Sequence, residues 1–239
     1  AMTIDMPLWA TGKHGAESPF HLCSPEQLTE LTVENLQFID SHRRNQTKWI
    51  NVIQGSDVPS IMKWWGAVKW FDCNGYAFSS SAGRASGLSA LLEPLLQIRD
   101  EGFLAPGHDW IHMLGVSTAP WAIVFSAVQK AIRSTVNPNL RVSYDSASPF
   151  QDAAIRELYA IPPTFGPSAK DWRMKKKLVP QGPSRVGSKK ALPFSSPIAD
   201  ALTLGDLNVR PGKYQEKQFD VHSLAMIANH NAWVYLNSF

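Results

Sequence analysis

Between Trp49 and Ala160 the sequence switches four times from a short apolar run to an amphipathic segment, and this alternation restricts the chain more than any other feature. Strand-like runs that each lead into a segment of helical periodicity are the signature of βα units on a parallel sheet. The first unit is Trp49-Ile50-Asn51-Val52-Ile53 and a helix from near Asp57, where Asp57 caps, Pro59 lies in the first turn and Ile61, Trp64, Trp65, Val68 and Phe71 make the apolar face. The second pairs Tyr76-Ala77-Phe78 with a helix from about Ser86 to Glu101, closed by Gly102. The third pairs Trp110-Ile111-His112-Met113-Leu114 with Thr118 to Arg133, with Thr118 as cap and Pro120 in the first turn. The fourth pairs Leu140-Arg141-Val142-Ser143-Tyr144 with a helix near Gln151 to Tyr159. Upstream, Thr3-Ile4-Asp5-Met6 reads as a fifth strand, and a helix capped at Ser24 with Pro25 following runs to about Arg43.

Five such units suit either an open doubly wound α/β sheet or the C-terminal part of an eight-unit barrel. Both gather ligand chemistry at the C-terminal ends of the strands. That rule singles out Asp5, Gln54-Gly55, Ser79-Ser80, Gly115 and Asp145-Ser146. Beyond Tyr159, Ile161-Pro162-Pro163 and Phe165-Gly166-Pro167 break structure, so residues 161–218 are expected to form an irregular insertion. A last helix, roughly Val221 to Leu236 within 219–239, carries Leu224, Ile227, Trp233 and Leu236 and should pack back on the body formed by 1–160.

Charge separates the insertion from the rest. Residues 170–190 hold eight of the 23 bases (Lys170, Arg173, Lys175, Lys176, Lys177, Arg185, Lys189 and Lys190) but one of the 20 acids, so the remainder of the chain is mildly acidic. A concentrated basic block on such a body suits contact with a phosphate backbone, and it equally suits a solvated loop. With 44% hydrophobic and 18% charged residues the chain reads as an ordinary globular protein. No window is apolar enough for a membrane span and the start lacks signal-peptide regions, so a cytoplasmic protein without membrane contact is expected. Cys23 and Cys73 are too few for a disulfide framework or a four-thiolate metal site, and inert thiols are expected.

Val52-Ile53-Gln54-Gly55, Gly75-Tyr76-Ala77, His112-Met113-Leu114-Gly115-Val116 and Tyr144-Asp145-Ser146-Ala147-Ser148-Pro149 follow one another on successive expected strands. Together, in this order, they resemble the tRNA-guanine transglycosylase superfamily, and most of all its phage and bacterial branch that acts on DNA. The resemblance covers about residues 3 to 160 and the last helix, and leaves the basic segment outside. It implies a (βα)8 TIM-type barrel whose N-terminal strands are missing from this chain, so that the chain is truncated, the fold is reduced, or another chain supplies the missing part, with self-association favoured.

The resemblance also implies roles. Asp145 matches the nucleophile, Asp5 the guanine-reading aspartate and Gln54 the base-contacting glutamine, with Gly55, Ser79, Ser80, Leu114 and Gly115 lining the same pocket. The family's tRNA enzymes have a Gly-Gly pair where this chain has Ser79-Ser80. Asn229-His230-Asn231-Ala232-Trp233 resembles the helix bearing the family's zinc histidine, but the accompanying cysteine cluster has no counterpart, so no metal and no other cofactor is expected. The implied activity is a glycosyltransferase that exchanges guanine in DNA for a 7-deazaguanine base through a glycosyl-aspartate. The same exchange on tRNA, or a non-catalytic nucleic-acid-binding subunit of such an enzyme, are the competing readings. If the gene is phage-borne, the compartment is the host cytoplasm. An extruded base needs aromatic support, for which Tyr76, Phe78 and Trp110 are candidates alongside their more ordinary role as core.

Overall fold

The computed structural model of the chain describes residues 1–3, 6–11, 17–44, 46–79, 89–116, 118–168, 170–180, 187–208 and 219–238. The chain divides into two compact units, Ala1–Val116 with Phe125–Asp145, and Ser117–Val124 with Ser146–Phe239.

The first unit is α/β. Its four strands, β1 (Ile50–Ile53), β2 (Gly75–Phe78), β3 (Trp110–Met113) and β4 (Arg141–Tyr144), are all parallel and stand side by side in chain order. Sequential order lacks the reversal that gives a doubly wound sheet its switch point. Between the strands run α2 (Val58–Val68), α3 (Ser89–Asp100) and α4 (Ala119–Thr135), preceded by α1 (Pro25–His42). Right-handed crossovers between strands that advance one place at a time put every connecting helix on the same side of the sheet.

Local chemistry fixes the helix starts. Ser24 accepts from the Gln27 N–H while the Gln27 side chain accepts from the Ser24 N–H, and Asp57 and Ser60 form the same reciprocal box for α2. On the helix side of the sheet, Trp65 meets Tyr76 edge to face with centroids 5.1 Å apart, and Ile53, Tyr76, Phe78, Ile111 and Met113 are buried. Asn51 lies there too, fully buried, its amide donating to the Val68 carbonyl that ends α2. Phe125 of α4 packs on Tyr144, and the Gln129 side chain accepts from the Val142 N–H at 2.7 Å.

Several expectations are corrected here. Phe71, expected on the apolar face of α2, lies past the helix end at Val68, and Trp70 beside it is 76% exposed. Of the upstream strand, Ile4 lies outside the described residues, as does Asp5; beside them Met2 forms a parallel bridge with Ile50 and the Thr3 N–H donates to Ile50 O. Ser86 also lies outside the described residues.

In the second unit the helix after β4 is α5 (Ser148–Ala154), shorter than its expected run to Tyr159. Glu157 adopts φ 52°, a left-handed conformation that no helix continues through, and the chain leaves as strand β5 (Leu158–Ile161). A four-residue apolar run suits either helix or strand, and here pairing decided it. The partner is β6 (Lys175–Leu178), antiparallel to β5, so part of the segment expected to be irregular is strand. The last helix, α6 (Val221–Leu236), is capped by Asp220 and packs on α5 and β5. Tyr159, Val179, Leu192, Leu207, Phe219 and Ile227 make the core of this unit.

Candidate active site on one face of the parallel sheet

Side chains alternate across a strand, so the face opposite the helices collects every second residue. The register sets Ile50, Gly75, Trp110 and Arg141 in one row, and Val52, Ala77, His112 and Ser143 in the next. The ladder runs one residue beyond the strands, with Ser79 N–H to Ile53 O, Leu114 N–H to Phe78 O and Asp145 N–H to Met113 O. Gln54, Ser79, Leu114 and Asp145 therefore form a third row at the C-terminal ends. Ile50, Val52 and Ala77 pack with Leu114 as an apolar floor on the β1–β2 side.

On the β3–β4 side this face is polar and connected. The Trp110 indole Nε1 donates to Ser143 Oγ at 2.6 Å, and Ser143 Oγ lies 2.8 Å from His112 Nδ1. An indole nitrogen only donates, so Ser143 Oγ accepts from Trp110 and its hydroxyl can give its own hydrogen to Nδ1, the arrangement in which the imidazole carries its proton on Nε2. That nitrogen faces Asp145 Oδ1 at 3.5 Å, an ion-pair separation too long for a well-formed hydrogen bond. The same oxygen accepts the Gly115 N–H at 3.2 Å. Gly115 sits at φ 72°, a conformation costly for any residue with a Cβ, and this turn aims its N–H at the carboxylate. The Asp145 side chain is 61% exposed, while that of His112 beneath it is 14% exposed.

Of the residues marked out by sequence, Gln54, Gly55, Ser79, Leu114, Gly115 and Asp145 all stand at this end of the sheet. Gln54 is buried, and Gly55 takes φ 145° where a Cβ would come within 2.8 Å of Ile61 backbone atoms. Asp5, Ser80 and Arg185 lie outside the described residues. Tyr76 and Phe78 belong to the helix side, where burial raises the Tyr76 hydroxyl far above its usual range, so neither can support a base on this face. Trp110 is on this face and 40% exposed.

His112 and Ser143 carried no assigned role in the sequence. A signal was present: in Trp110-Ile111-His112-Met113 and Arg141-Val142-Ser143-Tyr144-Asp145 the polar residues keep strict period two, which places them on one face.

In the second unit, Lys170, Arg173, Lys175, Lys177, Lys189 and Lys190 are exposed. Lys176 is engaged: its ammonium pairs with Asp152, a buried carboxylate that also binds Arg156 at 3.0 Å. Burial works against the Lys176 charge, but Asp152 and Tyr235 outweigh it and raise its pKa. His230 is buried and donates from Nε2 to the Ala160 carbonyl at 3.0 Å. Among the described residues no three His, Cys, Asp or Glu side chains are grouped so as to hold a metal. Cys73 is buried, which pushes its thiol pKa up, and both cysteines are free.

Compared with known proteins, the chain matches no family model and no curated protein.

Proposed function

We propose that this chain is a guanine transglycosylase of DNA, with Asp145 as the nucleophile of a base exchange. The observation that carries the reading is the exposed Asp145 carboxylate at the end of β4, held by Gly115 and faced by His112, on the same row as Gln54. Three strand spacings separate β1 from β4, roughly 14 Å, which suits a purine nucleoside between two inward-reaching side chains.

In this scheme guanine leaves C1′ as a bond forms from C1′ to a carboxylate oxygen of Asp145. The N9 of the incoming 7-deazaguanine then attacks the same carbon and releases the carboxylate. The proton lost by the incoming base matches the one gained by the departing guanine, and one glycosidic bond is exchanged for another, so the cycle needs no nucleotide cofactor. Gln54 would read the base edge, Leu114 and Ser79 would line the pocket, and His112 would act as a positioning residue for Asp145. The exposed bases of the second unit would hold phosphates, with Lys176 contributing structure instead. A (βα)8 barrel arrangement, which the sequential parallel order supports, belongs to the same proposal.

The test is exchange of radiolabelled guanine into DNA and into tRNA. Label retained on DNA, and abolished by Asp145→Ala with DNA binding intact, is the expected result. Label on tRNA alone would move the chemistry to that polymer. Exchange that persists in Asp145→Ala would overturn the mechanism, and binding without exchange would make the chain an accessory subunit.

A further inference from the structure

The same sheet face opens, at the other ends of its strands, into a cavity of about 860 Å³ within the first unit, a size that suits a small-molecule ligand. Its lining includes Lys48 before β1, Asp109 before β3, Trp110, His112, Arg133 near the end of α4 and Arg141 at the start of β4. Residues at the N-terminal ends of parallel strands ordinarily serve stability, through turns and ion pairs. Asp109 fits that pattern: the Asn137 amide and the Gly107 N–H both donate to it, and chiefly the Asn137 bond holds its pKa below the usual range.

The cations do not fit it. Among the described residues Lys48, Arg133 and Arg141 make no ion pair. All three are exposed at the cavity, against a single carboxylate, Asp109, which takes the Asn137 amide and feels the Lys48 charge, so that neither arginine has an acidic counterpart there. Three cations lining one cavity, two of them guanidinium forks, suit a phosphate better than a lone carboxylate. Trp110 supplies the other half of the site. It is partly exposed in the same row as Arg141, and its indole is held by Ser143, so a ring is presented at little entropic cost to a planar partner. Gly75, its neighbour in that row, has no room for a side chain, because a Cβ there would lie 2.0 Å from Trp110 O.

We propose that this cavity is a second binding site, for a nucleotide, with the phosphate at Lys48, Arg133 and Arg141 and the base against Trp110. It is independent of the exchange reading, since it needs neither Asp145 nor turnover. The nucleotide is either free or the phosphorylated end of a polynucleotide.

Calorimetric titration of the whole chain with adenosine monophosphate, adenosine, pyrophosphate and a short single-stranded oligonucleotide, with and without a 5′-phosphate, tests the site. The monophosphate should bind at least about tenfold more tightly than adenosine. Arg133→Ala combined with Arg141→Ala should remove that preference with the circular dichroism unchanged, both side chains being exposed. Trp110→Leu should weaken the monophosphate and spare pyrophosphate. Asp145→Ala should bind as the parent does. Preference for the 5′-phosphorylated oligonucleotide over the monophosphate would assign the site to a polynucleotide end, and the reverse to a free nucleotide. Equal binding of monophosphate and adenosine, an unaffected arginine double variant, or loss of binding in Asp145→Ala would overturn the proposal.

Discussion

Asn231→Ala is the most demanding test of how the second unit holds together. Asn231 is fully buried on α6, and its side chain makes three hydrogen bonds to backbone: it accepts the Ala160 N–H at 2.7 Å and donates to the carbonyls of Leu158 at 2.9 Å and Pro149 at 3.1 Å. One side chain thus ties α6 to β5 and α5. Truncation strands three backbone groups, each costing about 1–3 kcal/mol when left unsatisfied, and adds a small cavity. The costs are not additive, because the carbonyls keep a second lone pair and the cavity admits some relaxation. A net loss of about 3–5 kcal/mol follows, at the upper end of single substitutions. Urea unfolding followed by circular dichroism gives the magnitude, and hydrogen exchange at the Ala160 amide localises it. Asn231→Asp sharpens the test. It keeps the acceptor for Ala160 but turns a carboxylate toward two carbonyls, so it should destabilise at neutral pH at least as strongly as Ala and recover partly on acidification. A loss below about 1 kcal/mol for Asn231→Ala, with Ala160 still protected, would refute the accounting.

Other consequences can be measured separately. Gly115→Ala should lower the rate of guanine exchange about tenfold while binding of the polymer is kept, because a left-handed φ no longer presents the N–H to Asp145 and one charge-assisted hydrogen bond is lost. An unchanged rate would remove Gly115 from the site. His112→Phe should reduce exchange by only about fivefold, since the Asp145 carboxylate is 61% exposed and a 3.5 Å contact to so solvated a group is worth up to about 1 kcal/mol. Complete loss of exchange in that variant, with the fold kept, would mean that His112 does chemistry rather than positioning. His230 predicts an acid effect: burial holds its pKa below 6.5, so on acidification the unfolded chain takes up a proton that the native state refuses. Stability should therefore fall as pH drops from about 6.5 toward the native pKa, by at most about 1.4 kcal/mol per pH unit, and His230→Gln should flatten that slope in urea titrations. An identical slope in the variant would exclude His230 as its source.

What the sequence determined alone was what short-range chemistry decides. The caps at Ser24 and Asp57, the stop at Gly102 and the four parallel strands were legible because a cap or an apolar period is a property of a few consecutive residues. The placement of Gln54, Leu114, Gly115 and Asp145 at one end of the sheet followed from the same strand boundaries. Tertiary structure decided the rest. Leu158–Ile161 became strand because Lys175–Leu178 was there to pair with it, and Lys176 became the ion-pair partner of the buried Asp152, where composition had shown only a basic run. The link from Trp110 through Ser143 to His112 joins residues 31 to 33 positions apart, on strands whose register no local pattern states. Asn231 reaches partners 71 to 82 positions away. Hydrogen bonds of that range depend on which strand lies beside which, and that is set only when the whole sheet forms.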